Sequence, residues 1–431
     1  MSEFERADSE DIVRGRLTST VRARRVLVAV AAVVASLAAG TNGVSGVAGA
    51  QDTEKVPPPV WTSLVATPIT SARPVLGADG RIHLTYELLV TNVSPSVMTF
   101  DRLETLDASK GHADVNTESG NTVVATLEGA DLEAATQSLG RPNTVPVGPF
   151  QVTRLFLDAT FAKNATLPTA LEHRFQITLE PAAGTPPVTS ATVVSGRTKV
   201  ANARAVVVGP PLAGPRWVDS GGCCFPPSYH RTATLPINGK FAVPERFAMD
   251  FLQLNPENKL YAGPQDQLSS YAYQGAKVLA VADGTVVDLQ DGRPDETPPN
   301  FPEGYTLLEA LGNFVVVDIG HGRFAFSTHF QPNTLKVKVG DKVRRGQVLA
   351  LMGNSGNSDA PHLHFAILDG PSPFSSYSLP FVFSSFTTTG TITNAIEDIQ
   401  SGAAAEIAPA QAGPHRNELP LENDVITFPK Q

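Results

Sequence analysis

Cysteine is almost missing from this 431-residue sequence: there are two, and they are neighbours, Cys223 and Cys224. Adjacent cysteines cannot tie distant segments together, so a disulfide framework is excluded; they form either a strained vicinal pair or two thiols. Positive charge is also short, with 33 Lys and Arg against 42 Asp and Glu and a formal net charge of −9, which weighs against nucleic acid as a partner. Aromatic residues make up only 7% while Gly and Pro each number 35, a balance that favours short strands and turns over a helical bundle. The one long apolar run, Val26 to Gly40, is about fifteen residues, short of the ~20 that span a bilayer.

That run follows Arg22, Arg24 and Arg25 and precedes the small-residue stretch Ala48-Gly49-Ala50. Residues 1–50 therefore read as a secretory signal peptide with Gln51 as the mature start, and the remainder as exported, in the cell envelope or outside the cell. The other reading is an uncleaved anchor, the only case in which a membrane becomes a partner. Arg24-Arg25 also permits twin-arginine export.

A mature chain of this length is too long for one ordinary core and predicts two domains. Residues 51–208 show repeated period-two alternation: Ile82, Leu84, Tyr86, Leu88 and Val90 against His83, Thr85, Glu87 and Thr91, and His173, Phe175, Ile177 and Leu179 against Arg174, Gln176, Thr178 and Glu180. Several such strands fit an immunoglobulin-like β-sandwich of unknown role. His83, His112 and His173 lack ligand spacing and read as ordinary strand or loop residues. Residues 209–215, with Pro210-Pro211 and Gly214-Pro215, read as a stiff linker. Residues 216–386 form the second domain. The Thr-, Ala- and Gly-rich stretch 387–431 reads as a poorly packed tail. The expected fold class is all-β throughout.

The chemistry concentrates in Pro361-His362-Leu363-His364-Phe365, preceded by Gly353-Asn354-Ser355-Gly356-Asn357. In a strand, residues two apart share a face about 6.5–7 Å apart, so His362 and His364 point into one site. One imidazole of such a pair suits a metal and the other a proton. Upstream lie Val278–Val287, Asn313–Asp318, Thr328-His329-Phe330 and Val339–Leu349. Gly340–Leu349 alone would suit a biotinyl or lipoyl carrier hairpin, but Ala350-Leu-Met-Gly-Asn-Ser-Gly provides no lysine to modify.

In this order the motifs resemble the lysostaphin/LytM-type zinc metallopeptidases, which cut peptide bonds of bacterial peptidoglycan; the resemblance covers about residues 226–370. It implies an antiparallel β peptidase domain, zinc as cofactor and peptidoglycan peptides as partner. It also implies roles. Asp250 and His364 match two family zinc ligands, and His329 and His362 match the two non-ligand histidines that carry protons and stabilise the oxyanion. The third family ligand, a histidine four residues before the aspartate, is Arg246 here, in Glu245-Arg-Phe-Ala-Met-Asp250. Arginine stays protonated and offers no lone pair to a metal.

Three readings follow. In one, Arg246 points away and His230, expected on the neighbouring strand, completes the metal set. In another, Arg246 forms a structural ion pair with Asp250 and no zinc binds; in the third, metal binds weakly without substrate. The first makes the protein an exported zinc metalloendopeptidase. The second makes it a catalytically inactive LytM-like domain that binds wall peptides or regulates another cell-wall hydrolase. His321 reads as a solvated turn residue, and the Pro-rich loop 291–304 as a groove-edge insertion. Tyr229, Tyr271 and Tyr273 are candidate groove-rim residues, with packing as their plainer role.

Overall fold

The computed structural model describes residues 60–112, 122–138, 146–180 and 190–430. The expected signal peptide or anchor lies outside the described residues, and among those described no helix is long and apolar enough to cross a membrane. The all-β expectation holds, with antiparallel sheets dominating and only short helices.

The first half contains two antiparallel sheets. One is built on the long strand Arg81–Asn92, flanked by Leu64–Pro68 and Val152–Ala162, and the other on Val97–Asp107 and Ala170–Glu180. The alternation seen in sequence places Leu84, Tyr86, Leu88 and Val90 in a core shared with Phe100, Leu155 and Phe175. The opposite face of Arg81–Asn92 departs from a half-exposed strand. His83, Thr85 and Glu87 are 5%, 0% and 0% exposed, because the second half of the chain covers them.

The second half is organised by one sheet that, among the described residues, has eleven strands. Its middle runs Phe324–Thr328, Leu363–Leu368, Met249–Gln253, Gly214–Ser220 and Asp424–Phe428. Leu363–Leu368 is buried along its whole length. Both faces of this central strand are covered, which removes the polar alternation an edge strand would show.

Two domain expectations need correction. The stretch 387–431 is packed, not a loose tail: Asp424–Phe428 pairs with Gly214–Ser220 and with Phe386–Ile392. Its Val425 and Ile426 are fully buried, and the Phe428 ring lies 5.1 Å from Phe383 and 5.7 Å from Phe251. The Thr- and Gly-rich composition hides a strand of alternating burial, Phe386, Thr388, Gly390 and Ile392 inward. The linker 209–215 is likewise built in. Gly209 donates to the Val281 carbonyl and the Pro211 carbonyl accepts from Leu279, while Gly214 already belongs to the strand.

The cysteines form a vicinal disulfide, Cys223–Cys224. It lies beside the buried polar face of the first half, with Cys224 close to His83 and Asp158. His83 Nδ1 is 2.8 Å from Asp158 Oδ2 and its Nε2 3.2 Å from Asp79 Oδ2. Burial alone would lower its pKa, but the two carboxylates prevail and raise it to about 9.

Two outcomes follow from this packing. Phe428→Ala should destabilise the protein by about 3–5 kcal/mol in denaturant unfolding, as core aromatic truncations do, whereas in a loose tail it would be within about 0.5 kcal/mol. The His83 shift carries the other. A pKa raised on folding gives stability that is complete below the unfolded value near 6.5 and is lost as pH climbs through about 9. His83→Gln should therefore show its largest deficit, up to about 3 kcal/mol, near pH 6 and little at pH 9.5. An equal deficit at both pH values would mean that His83 folds uncharged.

Candidate active site

The site is assembled on a row of residues that cross the central sheet. Ser220 pairs with Asp250, Asp250 with His364, and His364 with Thr328. Directly opposed residues present side chains to the same face about 4.5–5.5 Å apart, so register alone brings Asp250 and His364 together. His329 follows at the strand end with φ of 68°, a left-handed conformation uncommon outside glycine. This turn breaks the alternation, and both Thr328 and His329 line the same cavity. His362 precedes its strand and is held by a bridge to Gly353. A side chain on Gly353 would run into the Gln331 backbone at 2.4 Å, so the glycine there permits the close approach.

His230 does not lie on a strand, contrary to expectation. The chain after Gly214–Ser220 turns through Pro226-Pro227 into the short helix Tyr229–Thr232, whose N-cap Ser228 accepts from the Arg231 N–H. The helix delivers His230 and Tyr229 to Asp250 from outside the sheet. His230 Nε2 is 3.4 Å from Asp250 Oδ2, His364 Nδ1 is 2.9 Å from Oδ1, and the Tyr229 hydroxyl donates to Oδ2 at 2.9 Å. His230, Asp250 and His364 each offer a ligand atom, all within 4.8 Å of one another, and all three residues are buried. Two imidazoles and one carboxylate match the donor set of a three-ligand zinc site, so the residues present fit the metal.

Arg246, by contrast, is turned out of the site. It is 1% exposed, and its guanidinium forks onto Glu87 of the first half, with Nε 2.9 and 3.1 Å from the two carboxylate oxygens. The Arg246–Asp250 ion pair, one of the three readings, is absent; Arg246 pairs instead with Glu87, which is fully buried.

Three imidazoles have their tautomer fixed by a carbonyl, which can only accept. Nδ1 donates to Gly221 O from His230 at 2.9 Å, to Ser355 O from His329 at 2.7 Å and to Ala360 O from His362 at 2.8 Å. Their Nε2 atoms are thus left free for the site, and the His329 and His362 rings lie 4.5 Å apart. Asp250 is buried, which would raise its pKa, but the surrounding His230 and His362 hold it well below the usual carboxylate range. Its charge in turn raises His230 to about 9 against the downward pull of burial. Burial, with His362 and His364 adding to it, drives His329 well below its ordinary value. His329 is therefore neutral and able to accept a proton.

These groups line a cavity of about 510 Å³ whose apolar wall includes Phe301, Leu311 and Phe374. Phe301 comes from the loop 291–304, placing that loop at the groove as expected. Ile396, Glu397 and Gln400 come from the short helix Ile396–Gln400, in the stretch first read as a tail. Sequence reasoning missed these three, since composition masked the helix. It also gave Tyr229 only a rim position, although the Tyr-His dipeptide offered a signal: both side chains reach one carboxylate. Tyr271 and Tyr273 are buried away from the cavity, and His321 occupies an exposed left-handed turn.

Residues 267–375 match the family model of Peptidase family M23. The matched stretch holds His329, His362 and His364 but begins after His230 and Asp250. Over 133 residues the chain is 29% identical to the peptidoglycan DD-endopeptidase ShyA of Vibrio cholerae, an alignment covering 31% of this chain and 26% of that protein. Over 96 residues it is 35% identical to the murein hydrolase activator EnvC of Escherichia coli, covering 22% of this chain and 19% of the other. The chain thus spans only about a quarter or less of the length of these curated relatives. The catalytic domain of the antimicrobial peptidase lysostaphin from Staphylococcus simulans aligns at 24% identity over 33% of this chain and 80% of that one, with a TM-score of 0.21. On its motifs, the stretch 267–375 is of the M23 type, the LytM/lysostaphin kind.

Proposed function

We propose that this protein is an exported zinc metalloendopeptidase that hydrolyses peptide bonds of bacterial peptidoglycan, with an immunoglobulin-like sandwich as its first half. The observation that carries the reading is His230 Nε2 at 3.4 Å from Asp250, supplying the imidazole that Arg246 cannot. His230, Asp250 and His364 would hold the metal. Zinc in such a site lowers the pKa of a bound water towards ~7 and polarises the scissile carbonyl. The chain's own groups do the rest. His329, neutral and with Nε2 free, takes the proton of the attacking water. His362, whose Nε2 lies 3.6 Å from Asp250, stabilises the developing oxyanion through Nε2–H when both ring nitrogens carry a proton, and the proton taken up by His329 passes to the leaving amine. Tyr229 orients Asp250, and Leu311 and Phe326 shield the site from bulk water.

A second reading rests on Arg246 and on the similarity to a murein hydrolase activator: a non-catalytic groove that binds wall peptides and regulates another hydrolase. The two differ in metal content and in product.

The full chain should bind about one zinc and release peptide fragments from purified peptidoglycan. His230→Ala, Asp250→Ala and His364→Ala should each lower zinc affinity by more than about 100-fold and abolish release, since each removes a metal ligand. His329→Ala and His362→Ala should retain zinc while lowering turnover by about 10²–10⁴. Metal loss in the second group and retention in the first would reverse the assigned roles. A chain without zinc and without released fragments, even with zinc supplied, would leave only the binding reading.

A further inference from the structure

The polar face of the strand Arg81–Asn92 is buried, and the carboxylate at its centre meets both segments that build the candidate metal site. Glu87 is fully buried and accepts from Arg246, which stands four residues before Asp250. The same carboxylate lies 3.8 Å from Arg231, the neighbour of His230. We propose that Glu87 is a positioning residue for the metal site, a single carboxylate of the first half that clamps the His230 helix and the Asp250 approach in register. This rests on the assignment of His230 and Asp250 as ligands.

The geometry gives the clamp its force. The helix Tyr229–Thr232 has four residues, too few to hold itself without outside contacts. Its fixings come from both halves: Tyr229 bonds Asp250 and His230 bonds the Gly221 carbonyl, and the first half holds the other side. Arg231 donates to the Leu157 carbonyl at 3.3 Å and faces Glu87, and Arg154 donates to the Thr232 carbonyl at 3.2 Å. Nε and one terminal nitrogen of the Arg231 guanidinium have no hydrogen-bond partner, and the side chain is 1% exposed, so its charge is balanced chiefly by Glu87, with Asp158 adding to it. Arg246 is fixed by Glu87 on one side and by the Thr70 hydroxyl at 2.7 Å on the other. Two buried cations thus converge on one anion: Arg231 adjoins His230, which touches Asp250, and Arg246 stands four residues before Asp250 itself. A substitution that neutralises Glu87 leaves both guanidiniums uncompensated and frees the helix to shift. A shift of about 1 Å at His230 would spoil a three-ligand set, as ligand geometry tolerates only ~0.2 Å.

The test uses the full chain with Glu87→Gln, nearly isosteric, and Phe175→Leu as a control that loosens the first half's core far from the interface. Zinc affinity is measured by chelator competition, the ligand field by the absorption spectrum of the cobalt(II)-loaded protein, and stability by thermal unfolding. Glu87→Gln should lower zinc affinity about 10–100-fold, the usual effect of losing an outer partner of a ligand, and should alter the cobalt spectrum. Phe175→Leu should lower the Tm without changing either. Unchanged affinity and spectrum in Glu87→Gln would overturn the proposal, as would an equal loss of affinity in Phe175→Leu. If Glu87→Gln fails to fold, Glu87→Asp keeps the charge one methylene short. It should then show a smaller loss of affinity with an altered spectrum, and wild-type values for both would overturn the clamp. Absence of metal from the unaltered chain would remove the ligand assignment and the clamp together, whereas normal metal in the unaltered chain with normal metal in Glu87→Gln removes the clamp alone.

Discussion

The buried ion pair of Glu87 with Arg246 is the constraint around which the molecule is arranged. A guanidinium cannot be neutralised at any ordinary pH, so once position 246 carries arginine within a covered interior it must be paired or cost several kcal/mol. The anion it meets is Glu87, across the interface. Pairing with Glu87 leaves Asp250 to the imidazoles. It also turns the polar face of the Arg81–Asn92 strand into an interior surface, and this explains why His83, Thr85 and Glu87 are buried where a free sheet would have wetted them.

The same displacement organises the electrostatics of the site. With Arg246 withdrawn, Asp250 is, among the described residues, the only carboxylate in direct contact with His230, His362 and His364. A lone buried anion among imidazoles stays ionised and holds protons on the nitrogens that face it, so a divalent cation would have to displace those protons to bind. The backbone carbonyls of Gly221, Ser355 and Ala360 then decide which nitrogen of each ring faces inward. Orientation is thus assigned to the rigid backbone and charge to a single side chain, so the rings are set before any ligand arrives.

How much of this was legible in sequence follows from how local each cause is. His362 and His364 were readable from their two-residue spacing, and Asp250 from its match to the family's His-x-x-x-Asp motif; its register opposite His364 is visible only in the structure. The core alternation of Leu84 to Val90 was readable for the same reason. His230 was named as a donor, but its helix was not foreseen, since a four-residue helix has no periodicity to detect and is held by contacts far away in sequence. Glu87 looked like an ordinary outward-facing residue. Only the second half of the chain, which covers that face, shows otherwise, and interfaces of this kind leave no local trace. The C-terminal stretch misled by composition: threonine and glycine suggest looseness, whereas alternate burial of Thr388 and Gly390 beside Phe386 and Ile392 makes a strand.

That C-terminal strand has a consequence for the site itself. Without Asp424–Phe428, the strand Gly214–Ser220 would be the open edge of the sheet, two strands from His364 and next to Asp250. An uncovered edge frays and invites foreign strands to pair. Asp250 is paired on both sides, by Leu363–Leu368 and by Gly214–Ser220, and adding Asp424–Phe428 and Phe386–Ile392 moves the edge further from it. The connection between those two strands carries the helix Ile396–Gln400 back to the cavity wall. The segment that closes the sheet is therefore also a wall of the groove, and a change there acts on the rigidity of Asp250 and on the shape of the cavity at once.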